Sequence, residues 1–552
     1  MSVSVGVATL LALQQAASSM ETFQCHFEET GNIDDITQVI SHYKIAISWV
    51  PSAIVVLYDI FNILGNLYLC CFEHIGDLQD IDCTISYYKK ASESTPSGHV
   101  SLANRWSKLG TSYACHFHCT GDLQDIDCAI SHYQQAVEST PSGHANLANQ
   151  LTNLGKSYSV RFICTGDLQD IDCALFYHQN AVKSTPPGYA DFPSFSNHLG
   201  NSYLCRYQHT REPQDIDHAI SHHKKAVEST PSGHANLANQ LTNLGASYLD
   251  HCKYTGDLQD IDCAISHYQK AVESTSFVHA KLANLLDDLG TSYACRFECT
   301  GDLQDIHCAI SHHQKAVEST PSGHCNLTNR FNSNLGNAFL CHFEHTGDLH
   351  DIDCAISLHK KAVESTPSGH AHLAKRLTNL VTSYLAHFEC TGDLQDIDCA
   401  LFHHQKAVES TPPGHADFPL SFFNNLGTSY LHCGQHTGEL QDIDYAISHL
   451  QKVVESAPSG HANFANLLSN LGTSYARHFE CTGELQDINC AISHYKKAAK
   501  STPFGYAKLA SQLNNLGTSY GCHSQCTREL QDIDFSISYY KKAVESTPSV
   551  YA

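Results

Sequence analysis

Cysteine and histidine are the residues of this sequence best suited to chemistry, with 25 Cys and 39 His among 552 residues. One crowd of them, Cys115, His116, His118 and Cys119 with Cys128 nearby, offers the thiolate and imidazole donors that zinc prefers. Yet Val160 stands at the place of Cys115 in the register described below, and Cys119 is matched by Glu29 and by His345. Donors that come and go at a recurring place read as small, partly buried residues, so no metal or other cofactor is expected. Cys and His in pairs are available throughout by arithmetic alone, which gives a nucleophilic pair no weight. The acidic run Asp122-Leu123-Gln124-Asp125-Ile126-Asp127 lacks the central glycine and alternate ligands of a calcium loop and suits helix capping instead. No phosphate-cradling loop, dinucleotide turn or His-Glu-x-x-His string occurs, and an enzyme is not expected.

These residues sit in a repeat. A Gly/Arg-[Asp/Glu/Asn]-x-x-Asp-Ile element begins at Gly31, Gly76, Gly121, Gly166, Arg211, Gly256, Gly301, Gly347, Gly392, Gly438, Gly483 and Arg528, a spacing of 45 residues that is twice 46. Twelve repeats thus fill residues 1–552 as one array, the first of them (1–52) degenerate, with Met20 and Phe23 where later repeats carry Gly and Tyr. Within one repeat, Leu147, Leu151, Leu154, Tyr158 and Phe162 recur at helical spacing and predict a first helix, A. After the turn Cys164-Thr165-Gly166, Asp167 is placed to cap a second helix, B, with Asp170 three residues on. Helix B carries Ile171, Ala174, Leu175, His178, Ala181 and Val182 until Pro186 and Gly188 stop it. Neither helix can bury its stripe alone, so the pairs must stack into an all-α solenoid with a continuous core. Small residues such as Gly155 and Ala174 let A and B approach closely. The last B helix, Gln531 to Glu545, keeps apolar Ile533, Ile537, Tyr540 and Val544 with only Ser546 to Ala552 after it, where a terminal repeat normally carries a polar face.

The pattern resembles the tetratricopeptide (TPR) family: Leu154-Gly155-Lys156-Ser157-Tyr158 on helix A, then Ala129, Tyr133, Ala136 and Pro141 at the family's spacing on helix B. The family's 34-residue period is stretched to 45, with about seven extra residues between the two helices' small positions and about four after the Pro. Such long-period arrays resemble those that precede a caspase-like CHAT peptidase or a nucleotide-binding module, and the Asn-Asn-Leu-Gly strings resemble helix A of kinesin light chains. The resemblance implies a right-handed superhelix and a protein-binding scaffold. It leaves a second role open, the sensing arm of a larger signalling protein whose effector lies outside this chain.

Family geometry implies that residues flanking the Leu-Gly pair face a concave groove, and many of them are amides. Asn104, Asn149, Asn239, Asn284 and Asn466 lie six residues before the Gly; Asn153, Asn243, Asn334, Asn379, Asn425, Asn470 and Asn515 lie two before it. An amide both donates and accepts, so such a ladder suits an extended peptide backbone of almost any side-chain content. The second set serves equally well to tie neighbouring repeats together. Arg330 and Lys375 replace Asn in the first set, with Asp287 and Asp288 close by in the preceding repeat, and would set local charge.

The formal charge is −24, from 32 Lys+Arg against 56 Asp+Glu, which disfavours nucleic acid and anionic membranes as partners and leaves other proteins or peptides. Full protonation of the 39 His would change that charge to about +15, so acid is expected to alter the protein sharply. Val5 to Leu13 lacks the basic residues that precede a signal sequence, and Ile54 to Phe72 is broken by Asp59, Asn62 and Asn66 for a membrane span. Reduced thiols in the cytoplasm are the expectation.

Overall fold

The computed structural model describes residues 33–49, 57–185, 188–275, 280–320, 325–370, 372–410, 418–457, 464–502 and 507–546. Met20 and Phe23, the Val5–Leu13 stretch, Pro186 and residues 547–552 lie outside them. The chain divides into two bodies, residues 1–275 and 276–552.

The first body begins with helix α1 (Ile33–Trp49), the B helix of the first repeat. Then A and B helices alternate: α2 (Leu57–Ile75), α3 (Leu78–Ser94), α4 (Leu102–Thr120), α5 (Leu123–Glu138), α6 (Leu147–Thr165), α7 (Leu168–Lys183), α8 (Phe192–Thr210), α9 (Pro213–Glu228), α10 (Leu237–Thr255) and α11 (Leu258–Glu273). The second body runs α12 (Ala280–Thr300), α13 (Leu303–Glu318), α14 (Cys325–Thr346), α15 (Leu349–Glu364), α16 (Leu373–Thr391), α17 (Leu394–Glu409), α18 (Phe418–Thr437), α19 (Leu440–Ser456), α20 (Phe464–Thr482), α21 (Leu485–Ser501), α22 (Ala507–Thr527) and α23 (Leu530–Glu545). Within each body an A helix packs on its own B helix, and that B helix on the next A helix. The fold is an all-α solenoid of helix pairs. No helix among the described residues is long and apolar enough to cross a membrane.

Local chemistry accounts for the helix ends. The A helices stop at a left-handed residue, Gly121 at φ 73° or Gly166 at φ 72°, whose N–H donates to the carbonyl of Phe117 or Phe162. Arg211 and Arg528 hold the same conformation at φ 61° and 63° despite their side chains. Two residues later the B helix starts, and Asp122, Asp167 and Asp257 each accept from the N–H of the second helical residue, Gln124, Gln169 and Gln259. The cap expected at Asp167 is therefore present. Asp170 does something else: both of its oxygens accept from the Arg161 guanidinium.

The core follows the two stripes. Leu154, Ile171, Ala174 and Ala181 are fully enclosed. Between A and B there is room only for glycine in most repeats: a Cβ on Gly155 would stand 2.6 Å from the His178 ring, and one on Gly200 2.4 Å from that of His223. Repeat nine is built around Val381 at this place, packed with Leu377, Leu380 and Ala400. At α23 the stripe has no following helix among the described residues. Ile533 and Ile537 are 44% and 48% exposed, whereas their counterparts Ile488 and Ile492 are 1% and 7%.

Candidate functional site

The amides of the A helices divide into two rows that share a face but not a job. Positions six and two before the Gly, and the one following it, are four and three residues apart and so project from the same side of the helix. In the first body, Asn104, Asn149 and Asn239 are exposed and make no side-chain hydrogen bond among the described residues. In the second body Lys375 is exposed and Asn466 half-buried, again without such a bond, while Asn284 is half-buried and accepts from Arg330 Nη2 at 2.7 Å.

The row two before the Gly is largely spent on neighbouring repeats. Asn243 Nδ2 donates to Asn197 Oδ1 at 3.1 Å, Asn379 to Ser333 Oγ at 3.0 Å and Asn470 to Asn424 Oδ1 at 3.0 Å. Lys108 makes the same link to Asn62 at 3.3 Å. Asn153 is half-buried without a side-chain bond. Asn334 donates to both oxygens of Asp287 at 3.0 Å, and the same carboxylate meets His313 Nδ1 at 2.9 Å and Arg330 Nη2 at 3.2 Å. Arg330 is thus anchored at its tip, and its charge is largely answered within the body. Beside it the Asp288 carboxyl is held up at about 6, by burial first and by the charge of Asp287 second.

A cavity of about 490 Å³ opens where two repeats of the first body meet, between residues 97–104 and 139–150. Asn104, His99, Thr140, His144, Asn146 and Gln150 supply its polar wall. Gln150 is only 5% exposed, and its Oε1 has no hydrogen-bond partner among the described residues. The counterparts Gln240 and Gln512 rest their carbonyl oxygens against the hydroxyls of Thr230 and Thr502. A buried acceptor left unpaired costs about 1–3 kcal/mol, which a donor entering the cavity would recover. Sequence reasoning missed Gln150, because position alone gives it the same standing as Gln240.

The histidines, and the acidic residues other than the expected caps, have structural employment that the sequence did not assign. His178, His223, His359 and His404 lie on the B helices against the small position of A, each at most 3% exposed. His178 donates from Nε2 to the Thr152 carbonyl at 3.2 Å, and its Nδ1 meets Ser202 Oγ of the next repeat at 2.8 Å. Burial pushes all four imidazoles down to about 4. A second row stacks on the A-helix tyrosines: Tyr248 on His267, Tyr384 on His403 and Tyr475 on His494, with planes within 9°. Their Nδ1 atoms are buried and without a partner among the described residues, and burial lowers their pKa as well. The acidic run divides its labour: Asp122 caps, Asp125 holds His116 Nδ1 at 2.6 Å, and Asp127 reaches Arg161 of the next repeat at 2.7 Å. Cys115 is half-buried, its thiol pushed up by burial, while Cys119 is exposed. Among the described residues no three His, Cys, Asp or Glu side chains gather as a metal site.

Comparison with known proteins follows the same lines. The Sel1 repeat family model matches residues 197–230, 241–276, 424–454 and 470–502, in each case the later part of an A helix with its B helix. No curated protein matches the chain in sequence. Among solved structures, a human IFIT1 dimer with m7Gppp-AAAA is similar at 15% identity and a TM-score of 0.40, over 88% of this chain and 94% of that one. A tetratricopeptide repeat protein from Parabacteroides merdae is similar at 13% identity and a TM-score of 0.37, over 59% and 99%. The Cut9-Hcn1 hetero-tetramer of APC/C is similar at 15% identity and a TM-score of 0.34, over 97% and 94%.

Proposed function

We propose that this TPR-like repeat protein is a protein-interaction scaffold whose A-helix face binds an extended polypeptide through a row of amides. The observation that carries the proposal is the contrast between the two rows. Asn243, Asn379 and Asn470 are committed to neighbouring repeats, whereas Asn104, Asn149 and Asn239 stand exposed without a side-chain hydrogen bond among the described residues. The cavity beside Asn104 adds the orphaned Gln150 carbonyl, a place for one backbone N–H or side-chain amide of the ligand. Asn284, Lys375 and Asn466 offer the corresponding row in the second body, with Arg330 already anchored. The net charge of −24 supports a polypeptide ligand over a phosphate backbone. Cytoplasmic residence belongs to the same proposal and rests on a cysteine-rich chain whose described residues form no disulfide.

The test uses the full chain and an unbiased displayed-peptide library, followed by measured affinities of selected peptides. Asn104→Ala, Asn149→Ala and Asn239→Ala should each weaken binding about 2- to 10-fold, the worth of one hydrogen bond of 0.5–1.5 kcal/mol, without moving the melting temperature. Selected peptides whose affinity is indifferent to all three changes would sink the proposal.

A further inference from the structure

One junction in the second body puts a histidine where a recurrent cross-repeat pairing has an aspartate. Six residues after the Gly, the A helix presents His or Arg to an aspartate of the preceding B helix: Asp82 to His116 at 3.4 Å, Asp172 to Arg206 at 2.8 Å, Asp353 to His387 at 3.7 Å and Asp444 to His478 at 3.2 Å. Between α13 and α14 the aspartate's place is taken by His307. Its Nε2 lies 3.1 Å from Nε2 of His342, with ring centroids 4.9 Å apart.

We propose that His307 and His342 form a two-imidazole site for a divalent transition metal of the zinc, nickel and copper class, clasping α13 to α14. Three features carry this. The Nδ1 of His342 lies 2.5 Å from Asp351 Oδ2, and a carboxylate only accepts, so the proton sits on Nδ1. That leaves a lone pair on Nε2 available beside His307, and a carboxylate on the other nitrogen is the arrangement that orients metal-binding imidazoles. Two nitrogens on one ion at about 2.0–2.1 Å stand roughly 2.9 Å apart at a right angle and about 3.3 Å apart at the tetrahedral angle, and the separation here falls between them. His307 is exposed and the His342 side chain is 15% exposed, which leaves solvent or a further donor to complete the coordination. Imidazole selects this class of metals over calcium and magnesium. The site is independent of the peptide-binding proposal: it involves no amide of either row.

With so many other histidines and thiols in the chain, the test must resolve single residues. The full-length protein is titrated with Zn²⁺, and in parallel with Ni²⁺, and the histidines are footprinted by carbethoxylation and mass spectrometry. His307 and His342 should become protected together, at a metal concentration at least tenfold below any that protects His116 or His251. His307→Asp restores the pairing found at the sibling junctions and should keep the fold by circular dichroism. It should abolish metal protection at His342. Protection of His342 that survives His307→Asp, or protection of the pair no earlier than of His116 and His251, would show a plain hydrogen bond between two neutral rings and overturn the proposal.

Discussion

Replacing His223 by Tyr should make the first body markedly more resistant to acid. His223 is fully enclosed, its Nδ1 meets Ser247 Oγ at 2.8 Å and its Nε2 meets Asn201 Oδ1 at 2.9 Å. Burial holds its pKa at about 4 against an ordinary 6.5. The sign follows: as pH falls below 6.5 the unfolded chain takes up a proton that the folded chain refuses until about 4, so stability is full above 6.5 and drains away across that window. At pH 5 the linkage amounts to about 2 kcal/mol for this one residue relative to pH 7.5. Tyrosine removes the titration and fits the place. Tyr88 lies at the same position and donates to Asn66 Oδ1 at 2.7 Å, and Asn66 is the counterpart of Asn201. Ser247 keeps its bond to the Asn243 carbonyl at 3.1 Å. Solenoids open locally, so the assay is hydrogen exchange by mass spectrometry on peptides from residues 213–228, corrected for intrinsic exchange rates. Between pH 7.5 and 5.0 the wild-type protection should fall roughly 30-fold more than that of His223→Tyr, the equivalent of about 2 kcal/mol. Equal losses in the two proteins would refute the idea that burial keeps this imidazole neutral.

Gly155→Ala should destabilise the first body by about 1–3 kcal/mol in urea denaturation, because the new Cβ meets the His178 ring at 2.6 Å and the enclosed core has nowhere to yield. Arg211→Gly should raise stability by about 1 kcal/mol, read as a shift of the urea midpoint, by removing a side chain from a left-handed backbone at φ 61°. Arg161→Ala leaves Asp170, only 4% exposed, without the guanidinium that both its oxygens accept from, and should cost about 2 kcal/mol or more. Arg161→His should recover part of that loss, since His116 holds Asp125 in the same position of the preceding repeat, and a thermal melt series would show the order.

The sequence by itself determined the repeat, its two helices and their boundaries, because those depend on short-range periodicity. Leu147, Leu151 and Leu154 mark one face, Gly166 ends α6 in the left-handed region, and Asp167 caps α7 two residues from a free N–H. Each of these signals acts within a few residues of itself. The closeness of A and B was legible in the same way, from the small residues Gly155 and Ala174, and the structure sets Gly155 against the His178 ring. Tertiary structure alone decided what the polar residues do, since their partners lie a repeat away. Asn153 and Asn243 share a register in sequence; only the stacking places Asn197 within 3.1 Å of Asn243, while Asn153 has no side-chain bond among the described residues. The acidic run, expected to be capping, turned out to be one cap and two ion-pair partners, one of them 34 residues distant. Gln150 and Gln240 occupy the same register, yet the Thr230 hydroxyl meets the Gln240 oxygen while that of Gln150 has no partner among the described residues. Local energetics set the elements, and the contacts between repeats chose which of their polar groups remain available to a ligand.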